Sequence, residues 1–560
     1  MVRARTSIRP TAKDSPSRSL YGGVIGPLLL LLAARHGVVP PLPPDAQLER
    51  AGATIGEVRI KVGDIFDEND PRERLPGARL VNRLHPTTRK QVIAERLLFH
   101  PGDRFDRRVL DESARLLRTD RSLRDVEVRP VAWDGERVTV EVDARDAWTL
   151  NVGASFGHAG GTSSTRFSLE DTNFLGTGKR VLVERSDNVD RATTRLGFTD
   201  PAILGSRFRL AADYSQASDG GGWELSVERP FFALDTRWSA ALDATSEDRV
   251  DSLYVLGHVD DRFAHQADRF ELRGGISSGL DAGRVTRWSA GFTWQRDRFA
   301  AVDLLDDRVA TTTLPPVPPE RTLAYPWLGW DWQRDDFHQT QNLDLMGRVE
   351  DLQLGPRLHA RLGFASPVVG ADRNALIFDS TATTALVPAP RGLLRFEAAA
   401  SGRWEQGGFA HTLLHGGAQA YWRDFGDHQL YAAITGDVAH ALDPDQQITL
   451  GGDSGLRGYP LRYQTGDARL LLTVEQRVFT DWYPLRLARV GAAAFYDLGR
   501  VWGGPDGAAR GWLQDIGVGL RLAPSRTSRA AVIHFDLAFP LGGPAEVRQV
   551  QWLVRSRSSF

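Results

Sequence analysis

The chain has 560 residues, with 69 basic against 71 acidic side chains and no cysteine. Balanced charge provides no polyanion-binding face, which sets nucleic acid aside as a partner, and the lack of Cys excludes disulfides, thiolate nucleophiles and Cys–zinc sites. No run reaches the ~20 apolar residues of a spanning helix.

The first apolar stretch, Val24 to Ala34 with Leu28 to Leu32 inside it, follows a basic segment containing Arg3, Arg5, Arg9, Lys13 and Arg18. That length and polarity match the core of a signal peptide, so residues 1–36 are expected to be an export signal, with a poor cleavage site at Ala33-Ala34-Arg35-His36. Residues 37–52, opening on the Pro-rich Gly37 to Pro44, read as an extended linker.

Residues 53–145 read as a small α+β domain of order βααββ. Val58, Ile60 and Val62 alternate as in a strand. Thr88 to Gln91 resembles a capping box that opens a helix through Leu98. A turn at Pro101-Gly102-Asp103 precedes a second helix, about Asp106 to Arg118, with Val109, Leu110, Ala114 and Leu117 on its apolar face. Two strands follow, carrying Val126/Val128 and Val138/Val140/Val142, joined at Asp134-Gly135.

From 146 to 560 no helical period is evident. Segments of ~10 residues alternate in polarity between Gly/Asp/Pro turns, the pattern of a transmembrane antiparallel β-barrel. Ile533, Phe535, Leu537 and Phe539 share a face opposite His534 and Asp536; Ile516, Val518, Leu520 and Leu522 oppose Asp515, Gly517, Gly519 and Arg521. In the last segment Val550, Trp552 and Val554 lie opposite Gln551, Arg555 and Arg557. Direct counting gives about sixteen to twenty strands, with Ser252 to Leu354 irregular and Asp335-Asp336 and Leu314 to Pro319 in surface loops. A soluble sandwich would show the same alternation, but so long an array favours a closed membrane sheet.

Between two such strands lies Gly451-Gly452-Asp453-Ser454-Gly455-Leu456-Arg457-Gly458-Tyr459-Pro460, a glycine-rich arm with one guanidinium. Glu475 shares the polar face of its strand with Arg469, Thr473 and Arg477, and Asp497 shares one with Gly491 and Gly499. Two inward carboxylates on adjacent strands can receive one guanidinium fork. The alternative is an Arg457 solvated in a wet lumen.

These features together resemble the outer-membrane insertase and translocase superfamily, whose members include the barrel-assembly insertase and the two-partner secretion transporters. The 53–145 unit resembles one of that superfamily's polypeptide-transport-associated (POTRA) domains. Asp171 to Arg180 and Phe198-Thr199-Asp200-Pro201 are similar to its first hairpins. Leu456-Arg457-Gly458-Tyr459 matches its lumenal-loop signature, and Glu475 and Phe495 to Gly499 match the partner strands. The resemblance implies a sixteen-stranded barrel in the bacterial outer membrane, surrounded by outer-membrane lipid, with a periplasmic POTRA domain that receives unfolded polypeptide clients. It implies insertion or translocation of those clients, without cofactor, metal or catalysis. Trp552 and Phe560 would form the C-terminal barrel signal, although Ser556 and Ser558 occupy two alternate positions usually apolar, and one POTRA domain is fewer than the best-known relatives carry. A two-partner-type transporter for a dedicated passenger and a passive porin share much of the pattern.

Other motifs fail on chemistry. Gly452-Asp453-Ser454-Gly455 is like a serine-protease nucleophile loop, yet no His-bearing partner motif stands upstream. Gly176-Thr177-Gly178-Lys179 lacks the first Gly and the Ser/Thr of a phosphate loop. His411 and His415 have helical ligand spacing, but on a strand four residues span ~13 Å.

Overall fold

The computed structural model describes residues 42–73, 76–120, 122–159, 162–302, 317–423, 427–504, 511–525, 532–542, 547 and 550–557. The expected export signal, the linker through 41, and Phe560 lie outside the described residues.

The N-terminal elements are α1 (Asp45–Arg50), β1 (Thr54–Gly63), α2 (Ala78–Leu84), α3 (Lys90–Ala94), α4 (Arg107–Arg118), β2 (Leu123–Trp133) and β3 (Arg137–Asp146). Their sheet has the order β1-β3-β2. Among described residues, one compact unit comprises 42–59, 100–107 and 129–141, and the other comprises the remainder. In the first, Leu48, Ile55 and Val138 are buried, and Arg107 pairs with Asp45 at 3.2 Å. Residues 45–50, read as linker, are helical; one buried Leu in six residues shows no period for a sequence reading to detect.

In the second unit, α4 keeps its expected bounds, burying Leu110, Ala114 and Leu117. The preceding helix differs from expectation: α3 stops at Ala94 and its N-cap makes no side-chain bond. Thr88 is not a cap, because Asp146 accepts both its N–H at 2.9 Å and its hydroxyl at 2.6 Å. Asn173 donates to the same hydroxyl at 2.7 Å. A buried polar cluster has taken the groups that a capping box would use. Gly176 and Gly178 both have positive φ, and a Cβ on Gly178 would meet Val92 at 2.8 Å. The Gly-Thr-Gly-Lys stretch is thus a turn docked against 87–96.

The barrel begins with β4 (Leu150–Ala159), β5 (Thr162–Asp171), β6 (Arg180–Asp187), β7 (Ala192–Asp200), β8 (Arg209–Ala217) and β9 (Gly220–Arg229). Longer strands follow: β10 (Trp238–Val255), β11 (His258–Asp281), β12 (Arg284–Ala301) and β13 (Arg321–Arg334). A separate hairpin, β14 (Phe337–Gln341) and β15 (Val349–Gln353), precedes β16 (Arg357–Ala365), β17 (Ala375–Ala389), β18 (Gly392–Glu405), β19 (Gly408–Arg423) and β20 (His428–His440). After the short pair β21 (Ile448–Leu450) and β22 (Gln464–Gly466) come β23 (Ala468–Phe479), β24 (Ala488–Trp502), β25 (Leu513–Pro524), β26 (Val532–Pro540) and β27 (Gln551–Arg557).

Twenty strands among the described residues close into one ring, in which β27 neighbours β4. That is the upper end of the direct count and not the sixteen implied by resemblance. Register shifts between Leu253/Tyr254 and between Ser277/Leu280 break the period-two pattern, which is why 252–354 reads as irregular. Val152, Ile276, Leu328 and Val518 are exposed outside, whereas Glu271, Thr293, Asp515 and His534 are buried inside. Exposed Trp238 and Trp422 at one mouth and Trp404 and Trp502 at the other mark the two interfaces of a membrane-spanning barrel.

Candidate functional site: a lumenal arm and its acidic wall

Strict up-and-down order places the ordered connections at two mouths. The chain enters β4 at the proximal mouth, and residues 441–467 leave β20 at the distal one. β21 and β22 pair from Ile448↔Gly466 to Leu450↔Gln464, forming a stem that carries the arm inward.

At the tip, Arg457 Nε and Nη2 donate to the two oxygens of Asp497 at 2.7 and 2.9 Å, and Nη1 donates to Glu475 Oε1 at 2.8 Å. The register Thr473↔Asp497 and Glu475↔Phe495 makes Glu475 and Asp497 diagonal neighbours on the inner wall, a spacing that one fork can bridge. The guanidinium also lies 3.4 Å from the centre of the Phe495 ring. Glu475 accepts a further bond from Arg477 at 2.9 Å, and Asp497 one from Thr473 at 2.8 Å. Side-chain exposure is 4% for Arg457 and 0% for Asp497, so this is an enclosed ion cluster.

The neighbours fix the tip. Leu456 is buried with Leu450, Tyr463, Val501 and Leu513. Gly458 N–H donates to Asp515 Oδ2 at 2.9 Å, and a Cβ there would lie 2.7 Å from the Asp515 Cβ. Tyr459 donates its hydroxyl to the carbonyls of Gln514 and Gly542 at 3.2 and 3.1 Å.

Further anchors hold the stem. Asp445 receives Arg321 Nη1 at 3.0 Å, and Asp443 receives Arg403 Nη2 at 2.6 Å. Arg462 grips Asp190, in the β6–β7 turn, with two bonds of 2.7 Å. The Arg462 hydrogen bonds hold the Asp190 carboxyl below its usual range, against the opposing effect of burial.

Asp515, Asp536 and Arg521 belong to the same wall and were not singled out from sequence as arm contacts. Arg521 donates to Asp536 at 2.6 Å, and Asp536 lies 3.9 Å from Arg457. Their signal was the polar face of each strand; what alternation lacked was the register that stacks four neighbouring strands, β23 to β26, behind one arginine.

Trp552 sits on β27, at the closure of the ring, where it stacks on His158 of β4 at 4.3 Å. His411 and His415 are held separately, by Asp443 at 3.1 Å and Asp437 at 2.8 Å. Ser454 Oγ accepts the Gly451 N–H at 2.8 Å, closing a turn.

No family model matches the chain. A putative outer membrane protein assembly factor of Treponema pallidum is 26% identical over 151 residues, covering 26% of this chain and 18% of that protein. The chain therefore matches less than a fifth of that relative's length. CdiB from Escherichia coli is similar over 90% of this chain and 77% of its own, with 14% identity and a TM-score of 0.44. BamA from Haemophilus ducreyi lacking POTRA domains 1-3 is similar over 90% and 84%, with 13% identity and a TM-score of 0.38.

Proposed function

We propose that this protein is a bacterial outer-membrane barrel that inserts or translocates polypeptides. The N-terminal α+β unit is its POTRA domain, lies in the periplasm and receives unfolded client, adding a client segment as an extra strand to its sheet edge. The observation that carries this reading is the docking of Arg457 on Glu475 and Asp497. An arm seated on enclosed charges agrees with the lumenal-loop signature of the superfamily that the sequence resembles, and the limited sequence similarity to an assembly factor points the same way.

Arg457, with Leu456, Gly458 and Tyr459, keeps the arm seated while the β4–β27 closure remains the place where the ring can part. Lipid provides no partners for backbone groups, so an opened edge pairs with whichever strand reaches it first. The energy comes from client folding and burial in lipid.

The test is assembly or secretion of a labelled, unfolded outer-membrane polypeptide in proteoliposomes that contain the full chain. Arg457→Ala is expected to lower the yield while the barrel stays at normal abundance in the membrane. Undiminished yield at normal abundance would sink the proposal. Swelling of the same liposomes by small sugars would instead identify a passive porin.

A further inference from the structure

The connector 335–356 joins β13 to β16 at the proximal mouth. Two other proximal connections, 282–283 and 390–391, have only two residues each. The β14–β15 hairpin within 335–356 pairs from Phe337↔Gln353 to Gln341↔Val349 and stays outside the barrel sheet. Its turn is internally braced: the Glu350 carboxylate accepts the N–H groups of Leu343 and Asp344, both at 3.0 Å.

The hairpin then holds both near and far walls. Asp344 receives Arg395 of β18 at 2.8 Å and the Tyr421 hydroxyl of β19 at 3.2 Å. At the tip Met346 is buried with Phe479, Ala523 and Val532, on β23, β25 and β26. In ring order β26 lies eight strands beyond β16, out of twenty, so a connector rooted at β16 and seated there crosses the opening. A lumen of this size would otherwise conduct, since barrels of about 16–18 strands leave an aqueous channel and larger ones are plugged.

The same hairpin is tied to the helix before the barrel. Arg118 of α4 forks onto Asp351 at 2.9 and 3.0 Å, and Arg115 lies 3.8 Å over the Phe337 ring. Unlike the arm's cluster, these contacts are partly solvated. Arg395 and Asp344 are each more than a quarter exposed. Arg118 and Asp351 are 18% and 16% exposed, and pairs that water reaches cost less to part than fully enclosed ones.

We propose that 335–356 is a gate across the proximal mouth and that α4 is its handle, so that movement of α4 withdraws the hairpin. The identity of what moves α4, an incoming polypeptide, rests on the function proposed above; the gate itself does not.

Planar-bilayer conductance of the purified full chain tests the seal. Replacing 337–353 by a short Gly-Ser turn is expected to raise conductance several-fold, and Asp344→Asn is expected to raise opening frequency with the hairpin intact. Unchanged conductance in both overturns the gate. The chain has no cysteine, so Met346→Cys with Ala523→Cys, joined by a short bis-methanethiosulfonate that forms a disulfide with each thiol and releases methanesulfinate, locks the tip to the wall. The lock is expected to abolish transfer of the labelled unfolded polypeptide, with recovery when a cleavable linker is cut. Full transfer through the locked protein, where Arg457→Ala still impairs it, means the hairpin is a static plug. If neither change alters transfer while hairpin replacement still opens the pore, the gate stands and the polypeptide-handling reading falls.

Discussion

Two segments fold into this barrel from opposite mouths, and they are held by different physics. The distal arm, 441–467, ends in an arginine enclosed by carboxylates, with Asp497 wholly buried. The proximal hairpin, 335–356, is held by ion pairs that water still reaches, by a methionine among small and apolar wall residues, and by Leu343 and Leu352 packed on Ala385, Leu393 and Tyr421. A buried charge whose partner is removed has no solvent to fall back on, so the arm's cluster resists separation. A pair that water still reaches costs less to part, and Met, unbranched and flexible, adapts to a changed site. The proposed gate moves where the arm stays because its contacts part more easily.

The largest expected effect comes from breaking the first half of that contrast. Arg457→Ala leaves Asp497 enclosed without a counter-charge and Glu475 with Arg477 alone, and is expected to destabilise the docked arm by about 3–5 kcal/mol, read as new protease cleavage within 451–467 and a lower unfolding midpoint in detergent. Arg457→Lys keeps the charge but loses the fork, so cleavage should fall between wild type and Ala. Next comes Gly458→Ala, whose methyl would meet Asp515 at 2.7 Å. The tip must lift, at about 1–3 kcal/mol, and hydrogen exchange at the Gly458 amide would report it.

On the hairpin side, Arg118→Ala removes a bidentate pair that is 18% and 16% exposed, should cost about 1–2 kcal/mol, less than Arg457→Ala, and should raise conductance events. A large loss of stability there would erase the proposed difference between the two segments. The smallest effect is expected for Arg462→Ala, whose Asp190 partner lies in an outer turn: about 0–1 kcal/mol. The sign of its pH dependence follows from the depressed Asp190 carboxyl. Its contribution is complete above the unfolded-state value of about 4 and disappears as pH falls through the lower folded value. Arm exchange rates in wild type and Arg462→Ala should therefore converge only on strong acidification.

Much of the arm was legible because a strand's period of two assigns every side chain to a face. Glu475 and Asp497 read as inward from their own strands, and Arg457 stands out as the one cation of a glycine-rich tip. The hairpin was not legible for the same reason. Phe337 to Gln341 and Val349 to Gln353 show no apolar alternation, because they neither face lipid nor line a uniform core, so their region reads as surface loop. Thr88 misled in another way: its spacing to Gln91 fits a helix cap, but Asp146, 58 residues on, competes successfully for its hydroxyl.

The sequence alone determined that this chain is a membrane β-barrel behind a small α+β unit, and which side chains turn inward, since polarity patterning is a local property that lipid and water enforce strand by strand. Only the tertiary structure decided the count of twenty, the stacking of Asp515 and Asp536 behind the arginine, and the passage of 335–356 across the mouth. Ring closure and register depend on every strand together, and no single stretch of sequence contains that sum.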